Sequence, residues 1–190
     1  IMKQNKFLIL TTLVAFVVGT VSCTKKLDEV VPQDAISKDQ ALKDPNAART
    51  LYHGVYGRFR ALDATFFQLG EMRSDIWVDG LFTESVDGGL QNLYRHNISN
   101  LNVPFTGWAG FYNLIYNFNS VIKIIPQTTL PDAEKSRILA EVYGLRAYVY
   151  YTMLRTWGAV PLNTEPVETV NNAAETYKAR NSTDTVMRQI

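Results

Sequence analysis

Aromatic and hydrogen-bonding side chains that could hold a sugar lie together in one polar, turn-rich stretch, residues 75–103. A sugar is held when its C–H face stacks on a Trp or Tyr ring while amide, carboxylate or guanidinium groups bind its hydroxyls. The alternative is that the rings of Trp77 and Tyr94 pack into the core. We predict that this stretch carries a ligand-binding surface formed by Asp75, Trp77, Tyr94, Arg95, Asn97 and Asn100, with His96 among them.

The one cysteine of the chain, Cys23, directly follows a segment typical of secretory leaders. Lys3 and Lys6 precede the apolar residues 7–18, and the small or short residues 19–22 come next. The apolar part would span about 18 Å as a helix, which is too short for about 30 Å of hydrocarbon. We therefore predict that residues 1–22 are a lipoprotein signal peptide and that Cys23 is acylated.

The alternative is an ordinary signal peptide that is cut near Ser22, with Cys23 incidental. Thr20 stands where bacterial lipoprotein signals usually have leucine, which favours this alternative. The position of the single thiol favours lipidation. Acyl chains contribute about 0.8 kcal/mol per buried CH₂ and would hold the mature protein on a membrane. The polar residues 23–36 would then form a tether.

Composition and motifs argue against several other classes of protein. Lys and Arg number 19 against 18 Asp and Glu, so the chain has no basic field for binding nucleic acid. One cysteine and two histidines exclude a disulfide within the chain and a zinc site of four cysteines. The motifs Gly-x-Ser-x-Gly and His-Glu-x-x-His do not occur. The sequence thus predicts no enzyme, no metal and no cofactor.

Apolar residues recur at steps of three and four in three long segments, which indicates helices. Asp44-Pro45 begins the first, which extends to Leu62, and Ser37 with Gln40 forms a capping box for a short helix before it. Within the irregular stretch 63–102, Phe66 to Asp75 is expected to be helical at first, and Asp87-Gly88-Gly89 marks a turn. The other two long helices are expected at 105–125, ended by Pro126, and at 131–157, ended by Gly158. We predict an all-α fold with long irregular loops.

The end of the chain predicts one more helix start, at residues 182–184. Val186 and Ile190 follow four residues apart, and the sequence stops after about a turn and a half, too short for a self-sufficient helix. We therefore expect residues 37–190 to be the N-terminal part of a larger helical domain.

Three stretches in order resemble the SusD/RagB family of nutrient-binding outer-membrane lipoproteins. Cys23 is followed by Leu27-Asp28-Glu29 and Pro32-Gln33-Asp34, and Gly70 to Asp75 is followed by Trp108, Tyr112, Ile115 and Asn119. The most specific stretch comes last and comprises Ala140-Glu141, Leu145-Arg146-Ala147, Tyr150, Leu154 and Trp157-Gly158-Ala159-Val160-Pro161-Leu162.

The resemblance implies a helical fold built around tetratricopeptide-like helix pairs. It also implies a lipid-anchored protein at the cell-surface side of the outer membrane. Such a protein would bind oligosaccharides or peptides, cleave nothing, and deliver its ligand to a TonB-dependent, SusC-like transporter.

Another function remains open, that of a helical-repeat scaffold lipoprotein that mediates protein–protein interaction.

Two charged residues of the last long helix are interpreted as structural under either function. Arg146 is expected to form a buried or half-buried ion pair between helices. Glu141 is expected to pair with Arg137 one turn away at the surface.

Overall fold

The structure, a computed structural model, describes residues 36–77, 88–99, 101, 107–167 and 178–190. The leader, Cys23 and the tether lie outside these residues, and so does Asn100. Within the described part, no helix combines the length and the apolar character needed to cross a membrane. The helices there are α1 (Lys38–Lys43), α2 (Pro45–Arg60), α3 (Asp63–Leu69), α4 (Gly88–Tyr94), α5 (Ala109–Ile124), α6 (Asp132–Trp157) and α7 (Thr183–Gln189).

The starts of the first two helices follow from their capping residues, as predicted. The Ser37 hydroxyl accepts from the Gln40 backbone N–H, and the Gln40 side chain accepts from the Ser37 backbone N–H. At α2, an Asp44 carboxylate oxygen accepts from the Asn46 N–H at 2.8 Å, and Pro45 occupies the first helical position. Both caps satisfy donors that a helix N-terminus otherwise leaves without partners.

The two long C-terminal helices match their predictions, apart from a later start of α5 and shifts of one residue at two other ends. Helix α6 has 26 residues and ends at Gly158, whose φ of 69° lies in the left-handed region that glycine tolerates. Helix α5 begins at Ala109, four residues later than the predicted Phe105, and Trp108 precedes it at the N-cap position without a side-chain cap. It ends at Ile124, and a 3₁₀ turn over Ile125–Gln127 contains the helix-breaking Pro126.

The core lies where α2, α5 and α6 pack together. Phe66 of α3 adds an edge-to-face contact with Phe111, with ring centroids 5.4 Å apart. The all-α prediction is confirmed: apart from an isolated bridge between Val160 and Asn181, the described residues show no strand pairing. The most deeply buried large side chains are Tyr150, Phe111, Phe118, Leu93, Leu114, Ile115, Ile125, Ile138 and Met153.

The turn predicted at Asp87-Gly88-Gly89 is wrong for its glycines, because Gly88 and Gly89 begin α4. Asp87 itself lies outside the described residues. Glycine in a helix interior costs about 1 kcal/mol relative to alanine, and these two glycines occupy the first turn of α4. Leu93 of α4 is almost fully buried, and burial of such a side chain contributes about 1.5–3 kcal/mol. Packing therefore outweighs the local preference for a turn.

Candidate functional site

A contact between Asp75 and His96 brings two parts of the predicted binding stretch together. The imidazole Nε2 of His96 lies 3.9 Å from a carboxylate oxygen of Asp75, and both side chains are largely exposed. His96 lies in the turn that ends α4 and has a φ of 56°, a left-handed conformation. The segment around residue 75 and the end of α4 therefore face a common surface.

Trp77 lies on this surface and not in the core. Its side chain is 38% exposed and meets the ring of Phe67 edge-to-face, with centroids 5.4 Å apart. Phe67, 43% exposed, was not among the predicted site residues. Its exposure could have been inferred from its position next to Phe66 in α3. Adjacent helical residues point about 100° apart, so when Phe66 is buried, Phe67 points towards solvent. The exposed faces of these two rings are accessible to a ligand.

The other predicted residues differ in exposure. Arg95 and Asn97 are exposed, whereas Tyr94, the last residue of α4, is half-buried. The Asn97 side-chain amide donates to the Asn92 side chain at 3.1 Å, and its backbone N–H donates to the Asn92 carbonyl at 3.0 Å. Asn97 thus also helps to close the end of α4.

We call the combined feature the aromatic surface: Phe67, Asp75, Trp77 and residues 95–97. It offers flat apolar rings beside carboxylate, imidazole, guanidinium and amide groups, which are the elements of a sugar site. Among the described residues, no three His, Cys, Asp or Glu side chains lie together as a metal site would require. The arrangement suits noncovalent binding of a neutral, hydroxyl-rich ligand.

Arg146 forms a buried link between α5 and α6, but its partner differs from the predicted one. The side chain is 8% exposed, and Nη1 donates to the Asn119 side-chain oxygen at 2.7 Å. In the part of the chain that the structure describes, an amide and not a carboxylate holds it, so the ion-pair prediction is wrong there. Asn119 is one of the residues that resemble the SusD/RagB family. Its side chain is buried on the neighbouring helix α5, and its oxygen is a neutral acceptor.

The same asparagine fixes the segment that follows α6. The Asn119 amide nitrogen donates to the backbone carbonyls of Asn163 at 3.0 Å and of Glu165 at 3.4 Å. The Tyr150 hydroxyl donates to the Asn163 carbonyl and accepts from its N–H, at 2.9 and 2.8 Å. Burial raises the pKa of Tyr150 to about 12. These bonds hold residues 160–165 against the helices, so the motif after Trp157 is structural.

A second polar cluster joins α2 to α6 around Glu141. The Tyr52 and Tyr56 hydroxyls both donate to Glu141 Oε2, the latter at 2.6 Å, and Arg137 donates to Oε1 at 2.7 Å. The predicted pairing of Arg137 with Glu141 is confirmed, whereas the two tyrosines were missed. The hydrogen bonds from Tyr52, which has the larger effect, and from Tyr56 lower the pKa of Glu141 from 4.5 to about 2.

The lowered pKa makes this cluster a source of acid sensitivity. Because the folded-state pKa of Glu141 lies below its ordinary value, its stabilisation is present above about pH 4.5 and is lost as pH falls towards 2. We expect Glu141→Gln to lower the free energy of unfolding by about 1–2 kcal/mol at neutral pH. Urea unfolding should show a smaller loss in the variant between pH 5 and about 2 than in the unmodified protein. Asp132→Asn, at an exposed carboxylate of the same helix, is the control. If the stability of Glu141→Gln depended on pH as strongly as that of the unmodified protein, Glu141 would not be the source of the acid sensitivity.

The fold is an all-helical scaffold, and the aromatic surface is its candidate ligand site. A SusD-like family model, described as starch-binding and associating with the outer membrane, matches residues 65–190. The chain therefore belongs to the SusD-like family, and the predicted family and SusD-like fold are confirmed.

Individual relatives agree with this assignment. The SusD-like protein P38 of Formosa agariphila is 30% identical over 98% of this chain, which spans 36% of that relative. A SusD superfamily protein from Bacteroides vulgatus has a TM-score of 0.67 and 30% identity, over 77% of this chain and 29% of that one. NanU of B. fragilis has a TM-score of 0.71 and 32% identity, over 84% and 31%. The chain thus spans about a third of the length of these relatives.

Proposed function

We propose that this chain is the N-terminal part of a glycan-binding lipoprotein that captures oligosaccharides at the outer membrane and passes them to a TonB-dependent, SusC-like transporter. The observation that carries the proposal is the exposed Phe67–Trp77 pair beside Asp75 and His96. The family's description as starch-binding and associated with the outer membrane supports both the ligand class and the location.

Binding at this surface needs no chemical step. The apolar C–H face of a sugar ring would cover the Trp77 ring and remove both from water. The Asp75 carboxylate would accept hydrogen bonds from sugar hydroxyls, and the exposed Arg95 guanidinium would donate to them. Such contacts strengthen with each ring engaged and release the ligand intact, as delivery to a transporter requires.

The lipid anchor is part of the same proposal. Cys23 would carry acyl chains that hold the mature protein on the bilayer, and residues 23–36 would give the helical body reach. The resemblance of residues 23–34 to the start of family members supports this order of segments. Tethering raises the local concentration of the receptor beside the transporter, so a direct contact between the two proteins need not be strong.

We expect Trp77→Ala to weaken retention of oligosaccharide by the full-length protein about tenfold, because stacking on one ring and its buried area contribute about 1.4 kcal/mol. Affinity electrophoresis in gels containing starch or other polysaccharides measures this retention. Tyr151→Ala, which removes an exposed ring of α6 outside the surface, is the matched control and should bind normally. Equal retention by Trp77→Ala, or release of reducing ends during the assay, would count against the proposal.

One observation favours the alternative of a protein-binding scaffold. Helix α6 exposes Tyr143, Tyr148 and Tyr151, each by nearly half of its surface. Tyrosine is enriched at protein interfaces, so this helix could meet another protein. Sugar-independent co-purification of a partner, lost in Tyr143→Ala and Tyr151→Ala and unaffected by Trp77→Ala, would support that alternative.

A further inference from the structure

Arg73 is the last residue of a 3₁₀ turn that follows α3, and its side chain is half-buried. The turn comprises Glu71–Arg73, and the burial of Met72 fixes it against the rest of the fold. The Nε–H of Arg73 is buried and has no hydrogen-bond partner among the described residues. Buried donors are nearly always paired, because a donor that leaves water without gaining an acceptor destabilises the fold. The side chain of Arg73 thus carries an unused donor.

The charged neighbour of Arg73 is a second arginine, Arg155, near the end of α6. The Tyr148 ring of α6 meets the Phe66 ring of α3, with centroids 5.4 Å apart. Arg155 follows Tyr148 by two helical turns on the same face, so it lies towards the segment after α3. Burial, and then repulsion from the charge of Arg155, lower the pKa of Arg73. The two guanidinium groups therefore lie near each other.

Arg155 is held at the surface with its donors accessible. The side chain is exposed, and its guanidinium carbon lies 5.6 Å from the centroid of the Tyr151 ring, one turn earlier in α6. A guanidinium over an aromatic ring can still donate from its N–H groups. In the part of the chain that the structure describes, no carboxylate forms an ion pair with Arg73 or Arg155. Two positive charges are thus close together without a negative group of these residues between them.

The chemistry of the pair indicates what it binds. Guanidinium groups recognise oxyanions, since two parallel N–H groups match two oxygens of a carboxylate or a sulfate. An oxyanion between Arg73 and Arg155 would accept from the buried Nε–H and would also offset the repulsion between the two charges. A sugar hydroxyl would do the first and not the second. The pair therefore suits an anion better than a neutral ligand.

The position of the pair indicates the molecule that carries the oxyanion. Arg73 lies two residues before Asp75 of the aromatic surface, so a glycan bound at that surface would bring its acidic groups towards the pair. We propose that Arg73 and Arg155 bind the carboxylate or sulfate group of an acidic glycan. The proposal rests on the proposed function only in that the ligand is a glycan.

Calorimetric titration of the full-length protein tests which ligand the pair prefers. The probes are trigalacturonate, which carries carboxylates, a sulfated tetrasaccharide of κ-carrageenan, and neutral maltotriose. We expect at least one acidic probe to bind more tightly than maltotriose, with an affinity that falls as salt is added. The acidic probe with the higher affinity identifies the oxyanion. If neither acidic probe binds more tightly than maltotriose, the arginine pair is not a site for acidic glycans.

Variants at the two arginines test whether they carry this preference. Arg155→Gln changes an exposed side chain, so the protein should fold normally and lose at least about tenfold in affinity for the acidic probe. Arg73→Lys keeps the charge and loses the two-pronged donor, so binding should weaken and still depend on salt. Lys135→Gln removes a positive charge from the other end of α6, about 30 Å along the helix, and is the control that should bind normally.

The neutral probe separates the arginine pair from the aromatic surface. Arg155→Gln should leave the affinity for maltotriose unchanged and remove the preference for the acidic probe. If Trp77→Ala binds maltotriose normally while Arg155→Gln behaves as expected, the proposed function fails at the aromatic surface and the arginine pair keeps its role. Equal affinity of Arg155→Gln and the unmodified protein for the acidic probe would overturn the role of the pair alone.

Discussion

Asn119→Ala is expected to lower the free energy of unfolding by about 3 kcal/mol, as measured by urea denaturation. The buried Arg146 guanidinium would lose its acceptor at 2.7 Å, and two backbone carbonyls beyond α6 would lose a donor. A buried charged group without a partner costs more than the net value of one hydrogen bond. The segment 163–165 should therefore loosen together with the contact between α5 and α6.

The control for this prediction is Asn113→Ala, at an exposed asparagine of the same helix. Its expected cost is below about 0.5 kcal/mol, as for most surface changes. The double variant Asn119→Leu/Arg146→Met should be more stable than Asn119→Ala, because removing both polar partners leaves no charge buried alone. Similar costs for Asn119→Ala and Asn113→Ala would show that the network does not hold the helices together.

Cys23→Ser is expected to abolish lipid attachment. A hydroxyl cannot replace the thiol as the acceptor of the diacylglyceryl group, so labelled palmitate should no longer enter the protein. Without acyl chains, the mature body should leave the outer-membrane fraction. Metabolic labelling followed by membrane fractionation measures both effects.

The comparison variant for lipidation is Ser22→Ala, which keeps a small residue before the cysteine. It should be labelled and should fractionate with outer membranes like the unmodified protein. Incorporation of palmitate into Cys23→Ser would contradict the assignment of the anchor. Normal membrane fractionation of an unlabelled Cys23→Ser protein would instead show that something other than lipid holds it there.

Local signals in the sequence were sufficient for the long helices and for the short α1. The caps at Ser37 and Asp44, the breaker Pro126 and the C-terminal Gly158 act within a few residues of the boundaries that they set. Helix α4 was missed because its glycines favour a turn locally, whereas its stability comes from burial of Leu93 against other elements. Tertiary packing of this kind leaves no trace in a local pattern.

The candidate site was predicted in part for a similar reason. The residue types around Trp77 indicated sugar chemistry, and the structure shows that ring exposed. Phe67 was missed because its role depends on which side of α3 faces the core. The tyrosines that bind Glu141 lie 85 and 89 residues away from it in sequence, so their convergence could not be read from spacing.

A crystal structure of the full-length protein, bound to an oligosaccharide that it retains on affinity gels, would show whether Trp77 holds the sugar. We expect a sugar ring stacked on Trp77 within about 4 Å, with its hydroxyls bound by Asp75 or Arg95. An oligosaccharide bound elsewhere, with the Phe67–Trp77 pair left open to solvent, would contradict it.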